Sequence, residues 1–431
     1  MRLSFTLTLL LAVTLLPTAR VSAQPQTRPL TLAQAEQLAI QNNPQFSAAQ
    51  FNAQAAYQVP LQFRAGLLPN LGGSLTGVGA DSGSRLAAGS LNNPAVYDRL
   101  ASGLYASQLI TDFGRTRGLM ASSKLRAQAQ DQVTETARAD ILIATARAYF
   151  GVLRAQAVLK VAQQTVSARQ LVADQVTTLF QNNLKSGLDA SFANVNLADA
   201  RLLLSQAQSD VKSAEAQLAA AMGLPAQTSF SLADEAMPAG LPDQVDPLVQ
   251  QALQARPELK DLRLEQNAAE RFSKAEHALY YPSVAAVGMA GFVPAGEAAV
   301  PGRYGAVGVN VNIPVLNGGL FRARQTEAEL KAKAAAQNVA DLANRVTRDV
   351  RVAYLNATTA FERVDLTEQL LKQAQLALDL AQGRYDLGLS SIVELSQAQL
   401  NLTAAQIGNA SARYDYQVQR VVVDYQIGLL R

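Results

Sequence analysis

Two periodicities divide the chain. Apolar residues recur at helical spacing in two long stretches, for example Ile143, Ala146, Phe150, Leu153, Ala157 and Val161, and Leu366, Leu370, Leu371, Ala374, Leu378 and Ala381. Both stretches, 95–224 and 315–431, lack proline, whereas all 16 prolines fall in 17–94, 225–257 and 282–314. Interior proline costs a helix about 3 kcal/mol, so its absence permits very long helices. The pattern predicts helices at about 115–186, 191–222, 320–386 and 391–427. Glu327–Lys331 and Glu329–Lys333 add four-apart pairs in the favourable order. Each stretch has one interior breaker, Lys185 to Ser191 and Asp386 to Ser391. Gly187 and Gly388 suit a left-handed helix end, and Asp189 or Ser191, and Ser390 or Ser391, suit the restart. Each stretch therefore reads as a long helical hairpin with a tight tip.

Alternation with period two marks a different element. In 305–315, Val307, Val309, Val311, Ile313 and Val315 fall on one face, and Ala306, Gly308, Asn310 and Asn312 on the other. Apolar-out with small-or-polar-in is the signature of a membrane barrel strand. Weaker strands are expected at about 68–80, 97–110 and 282–293, paired across loops near 81–96 and 294–303. Within 97–110, Leu100, Leu104, Ala106 and Ile110 share a face with Ser102 and Gln108. The alternative is a soluble four-stranded sheet packed against helices, but helices of about 100 Å leading away from it argue against that. Four strands cannot close a transmembrane barrel, and open edges are not tolerated in lipid, so if these strands enter a membrane several chains must share one barrel.

The two halves repeat in order. Asp112 to Arg117 parallels Leu316 to Arg322, Ala148-Tyr149 parallels Ala353-Tyr354, Gly187-Leu188 parallels Gly388-Leu389, and Met222-Gly223 parallels Ile427-Gly428. The expected division is a first repeat at 24–224, a Pro- and Asp-rich linker at 225–247, and a second repeat at 248–431. Residues 1–23 read as a secretory signal peptide: Arg2, the apolar run Leu3 to Leu16, Pro17, and a small-residue cleavage site at Val21-Ser22-Ala23. No membrane-spanning helix is expected after it.

Composition narrows the chemistry. The 431 residues carry 37 basic and 34 acidic side chains, no Cys, no Trp and a single His, His277. This excludes disulfides, thiolate chemistry and a multi-histidine metal cage within one chain, and the balanced charge argues against nucleic acid. Alanine is the outlier, with 77 copies, roughly 18% of the chain. Many small residues with few aromatics suit closely packed helices. No catalytic constellation is present, so no enzyme is expected.

The residues that carry a family resemblance are spread along the chain: Leu30 to Ala35 with Asn43-Pro44; Leu68-Pro69-Asn70-Leu71; Ile313 to Gly319 running into Arg322-Ala323-Arg324; the tips Gly187-Leu188 and Leu387-Gly388-Leu389; and Tyr414-Asp415-Tyr416. In this order, with the duplication and signal, the sequence resembles the TolC-like outer-membrane efflux proteins. The resemblance implies a mainly α protein with a small membrane β part. Three chains would form a twelve-stranded barrel in the outer membrane above a helical tunnel through the periplasm. It implies a homotrimer that meets a periplasmic adaptor and an inner-membrane pump, such as an RND or ABC transporter, and that uses no cofactor. Gly187, Leu188, Leu387, Gly388 and Leu389 match the adaptor-contacting tips, and Tyr385 and Glu394 match the periplasmic constriction. Ser391 with Glu394 also reads as a capping box. Ser390 and Ala193 replace charged latch residues found in some members. No acid is expected at the mirrored place in the first half, so a selectivity ring would hold three Glu394 carboxylates. The expected function is a passive efflux duct for small toxic compounds. The alternatives are a duct for type I protein secretion and a non-conducting trimeric scaffold or adhesin.

Overall fold

A computed structural model of the chain describes residues 29–81, 83–85, 95–225, 230–296, 298 and 300–430. The expected signal peptide, and part of the first strand-connecting loop, lie outside the described residues. Three short helices, α1 (Leu32–Asn42), α2 (Pro44–Ala56) and α3 (Gln58–Ala65), lead into β1 (Asn70–Val78) and β2 (Arg99–Thr111). The first hairpin follows as α4 (Arg115–Gln181) and α5 (Gly187–Ala221). The second half runs α6 (Asp246–Ala255), α7 (Pro257–His277), β3 (Ser283–Gly296), β4 (Arg303–Asn312), α8 (Leu320–Asp386) and α9 (Ile392–Gln426).

The duplication is regular in the hairpins. Helices α4 and α8 each have 67 residues, and α5 and α9 each have 35. At 1.5 Å per residue the longer pair extends about 100 Å. Both begin at a left-handed glycine, Gly114 (φ 92°) and Gly319 (φ 85°), which turns the chain from strand into helix. Helix α4 contains an 18-residue window of mean hydropathy 1.2, apolar enough by length and composition to cross a membrane. Half of that window is buried, and α4 packs along α5, α7 and α9.

The seams between helices are lined with alanine: Ala127, Ala146, Ala162, Ala200, Ala357 and Ala412 are all nearly inaccessible. Larger apolar residues thicken the core where the short helices lie against the hairpins. Tyr149, Phe150, Val152, Leu218 and Met222 pack with Ala35 and Ala39, and Val346, Val350 and Val423 pack with Val249 and Ala252. Residues 230–245 strap this region. Tyr149 donates to the Ala233 carbonyl at 2.6 Å, and its repeat mate Tyr354 donates to that of Pro242 at 2.9 Å. Burial raises the Tyr149 hydroxyl to about 12, with Glu235 adding to the effect.

The sheet is antiparallel in the order β1-β2-β3-β4. Its register separates two faces. One row aligns Leu71, Ala106, Gly288 and Val307, and another aligns Gly73, Leu104, Ala290 and Gly305. The opposite face aligns Ser74, Gly103, Gly291 and Tyr304, and then Gly72, Tyr105, Met289 and Ala306. Tyr304 lies across Gly103 and Gly291, where any Cβ would collide with its ring, so these glycines make room for the aromatic. Ile110 drops out of the β2–β3 register at a bulge between Leu109 and Thr111, a break that simple alternation does not predict. Strand β4 stops at Asn312 rather than continuing to 316, since Pro314 has no N–H to give the ladder. Strands β1 and β4 each lack a second neighbour among the described residues.

Beneath the sheet, a buried carboxylate ties the two halves. Glu276, with its side chain 2% exposed, pairs with Arg324 of α8 at 2.7 Å and Arg115 of α4 at 3.4 Å. Helix α4 comes so close to α7 there that a Cβ on Gly118 would sit 2.9 Å from that of Ala275.

Candidate functional site: the hairpin tips

The first tip joins α4 to α5 through residues 182–186, and the second joins α8 to α9 through 387–391. Both close with the same backbone bonds. Asn183 N–H donates to Phe180 and Leu184 N–H to Leu179; 205 residues later, Gly388 N–H donates to Tyr385 and Leu389 N–H to Arg384. These are Schellman ends, with the left-handed position held by Asn183 (φ 58°) and Gly388 (φ 71°).

This corrects the sequence pairing of Gly187 with Gly388. Gly187 is the first residue of α5, after the cap Ser186. Asparagine, the residue after glycine most tolerant of the left-handed region, was the missed signal. Structurally, Asn182-Asn183-Leu184 is the counterpart of Leu387-Gly388-Leu389, so Leu184 joins the tip. Leu184 is 69% exposed, and Leu188, Leu387 and Leu389 are comparably exposed. Each hairpin therefore ends in bare leucines that no described residue covers.

The caps reveal a second correction. Asp189 stands 205 residues before Glu394, so an acid does mirror Glu394 in the first half. The two carboxylates do different work. Asp189 accepts from the Ser186 N–H at 3.1 Å while Ser186 Oγ accepts from the Asp189 N–H, a closed capping box. Ser391 Oγ accepts from the Glu394 N–H at 3.4 Å, but the Glu394 carboxylate turns to Arg384 Nε at 3.5 Å, and both groups stay largely exposed.

Tyr385 sits between the hairpins, 8% exposed. It packs with Val176, Ala190, Ala193, Leu197, Ile392 and Leu395. Lys185 Nζ lies 4.2 Å from its ring centre. Its hydroxyl is buried without a hydrogen-bond partner among the described residues, as is that of Ser390. Burial first, then Asp189 and Asp386, raises the Tyr385 hydroxyl above its ordinary value. Alongside lies an open groove of about 890 Å³ lined by Asp174, Leu179, Leu184, Lys185, Leu387 and Gly388. The structure thus brings Tyr385, Leu387 and Gly388 together with the first tip, and sets Gly187 and Leu188 on the start of α5. No group of His, Asp or Glu suited to a metal occurs among the described residues.

A half-exposed ion pair, exposed leucines and an unclosed sheet with one apolar face are features of a conduit that assembles from several chains. The outer membrane efflux protein family model matches residues 35–224 and 248–427. The chain belongs to this family, and is thus an outer-membrane efflux channel component whose helices extend through the periplasm. It is 25% identical over 420 residues to outer membrane protein TolC of Salmonella enteritidis, spanning 93% of this chain and 83% of that one. It is 24% identical to outer membrane efflux protein BepC of Brucella suis, over 73% of this chain and 68% of that one. Among solved structures, that of the outer membrane protein VceC of Vibrio cholerae superposes with a TM-score of 0.78 at 20% identity, covering 92% of this chain and 96% of that one.

Proposed function

We propose that the chain acts as a homotrimer, a passive duct that receives small toxic compounds from an inner-membrane pump through a periplasmic adaptor and delivers them outside the cell. The observation that carries this reading is the four-stranded sheet, with Leu71, Leu104 and Val307 on one face and Ser74, Gly103 and Tyr304 on the other. Its two free edges satisfy their backbone in lipid only by pairing β1 of one chain with β4 of the next. Three chains give twelve strands, enough for a lumen.

In this reading, the leucines at 184, 188, 387 and 389, set by Gly388 and by the α5 start at Gly187, contact the adaptor. Glu394 and Tyr385 form the constriction, with three Glu394 carboxylates favouring cations near the axis. The repeat 24–224, linker 225–247 and repeat 248–431 are the units of this protomer.

The test is deletion of the gene together with single-channel recording of the purified protein. The reading expects raised sensitivity to several unrelated toxic compounds and cation-selective conductance that weakens in Glu394→Gln. Unchanged sensitivity across a broad panel, with loss of a secreted protein instead, would replace efflux by protein secretion. Absence of any conductance would replace the duct by a scaffold.

A further inference from the structure

Arg169 is a buried cation with no carboxylate paired to it among the described residues. It lies on α4 twelve residues before the helix ends, about 18 Å above the tip. The residue is 4% exposed. One Nη donates to the Asn196 carbonyl of α5 at 2.8 Å, and Nε has no partner. The nearest influential acid, Asp199, makes no ion pair with it among the described residues and only partly offsets the burial that disfavours the charged form. Guanidinium does not escape by losing its proton, and an uncompensated buried charge costs several kcal/mol. Its repeat counterpart, 205 residues on, is the buried Ala374, so helix packing at this level does not require a cation.

The same residue opens onto a cavity of about 130 Å³ between α4, α8 and α9, lined with Gln164, Thr165, Gln399, Thr403 and Gln406 beside Leu378 and Leu402. No acid lines it. Thr165 and Thr403 spend their hydroxyl protons on the Val161 and Gln399 carbonyls. The carboxamides of Gln164, Gln399 and Gln406 have no hydrogen-bond partner among the described residues, which leaves their N–H groups free to turn inward. This half-open pocket therefore brings one guanidinium together with three carboxamides, and none of its lining residues is acidic.

We propose that this cavity is a binding site for a small monovalent anion of the chloride type, held by Arg169 of α4 and by Gln399 and Gln406 of α9. The anion supplies the ion-pair partner that no described residue provides and links the first hairpin to the second above the tips.

The test uses the full-length protein in detergent, with thermal unfolding followed in sodium bromide and in sodium gluconate at equal ionic strength. Bromide is expected to raise the unfolding midpoint in a saturable way, and Arg169→Gln to abolish that increment. Gln406→Leu, which keeps the cation, is expected to raise the half-saturating bromide concentration about tenfold, as loss of one hydrogen bond to a charge would. Anomalous diffraction from bromide-soaked crystals of the unmutated protein, which does not depend on the folding of any variant, should place an ion against Arg169 Nε. Equal midpoints in the two salts would overturn it, as would an increment that survives in Arg169→Gln, or a neighbouring subunit's carboxylate seated in the cavity in place of bromide.

Discussion

The two hairpins are equal in length, begin at the same kind of turn and end with the same backbone bonds, yet they are not interchangeable. The first holds its tip with Asn183 and a closed Ser186–Asp189 box. The second holds it with Gly388 and leaves Glu394 free to meet Arg384. Phe180 of the first corresponds to Tyr385 of the second, and Arg169 to Ala374. Duplication thus preserved the rod and its turns, while polar chemistry diverged at levels where the hairpins face each other. Backbone geometry constrains the shared positions; charge placement is what distinguishes the two.

The largest expected effect lies where the halves are joined. Glu276→Ala leaves Arg115 and Arg324 facing a buried site without their carboxylate, and should cost about 3 kcal/mol. Denaturant unfolding in detergent measures it; a loss under 1 kcal/mol, within the range of a surface pair, would mean the clamp is dispensable. Next come the left-handed positions. Exchanging them should move stability in opposite directions by up to about 1 kcal/mol, Asn183→Gly upward and Gly388→Asn downward. Equal responses would show that the two tips do not share one geometry.

The caps differ more subtly. Asp189→Ala should destabilise by about 1 kcal/mol through its capping box, with little change in ion selectivity. Glu394→Gln should do the reverse, leaving the unfolding midpoint nearly unchanged while reducing cation preference in bilayer recordings. Tyr385→Phe makes the second hairpin match Phe180 of the first. The lost hydroxyl has no partner, so stability should stay the same or rise slightly.

One pH effect bears on the connection between halves. Burial raises the Asp261 carboxyl on α7 to about 6, with Glu265 and Glu258 adding to the shift. The folded chain therefore holds this proton more tightly than the unfolded one, and the stability so gained is lost as pH rises from about 4 to 6. Asp261→Asn should raise the unfolding midpoint at pH 7.5 and leave it nearly unchanged at pH 4. An equal gain at both would assign the effect to packing rather than ionisation.

Much of the rod was legible because its signals are local and repeated. Proline-free stretches announced the hairpins, and alternating valines announced β4. Gly388 marked one tip correctly. Gly187 misled because glycine also tolerates a helix start, and the left-handed residue there is an asparagine. That four-residue slip hid both Leu184 as a tip residue and Asp189 as the mirror of Glu394. The Glu276 clamp, the strap held by Tyr149 and Tyr354, and the isolated Arg169 were not legible, since each joins residues brought together only by the packed helices.

The central claim is that one chain cannot close its own barrel and three must. Native mass spectrometry of the detergent-extracted protein tests it most directly. The account predicts a dominant species of three chains, which dissociates when β1–β4 pairing is blocked by proline at Leu71 and Val309. A conducting species of one or two chains would contradict it.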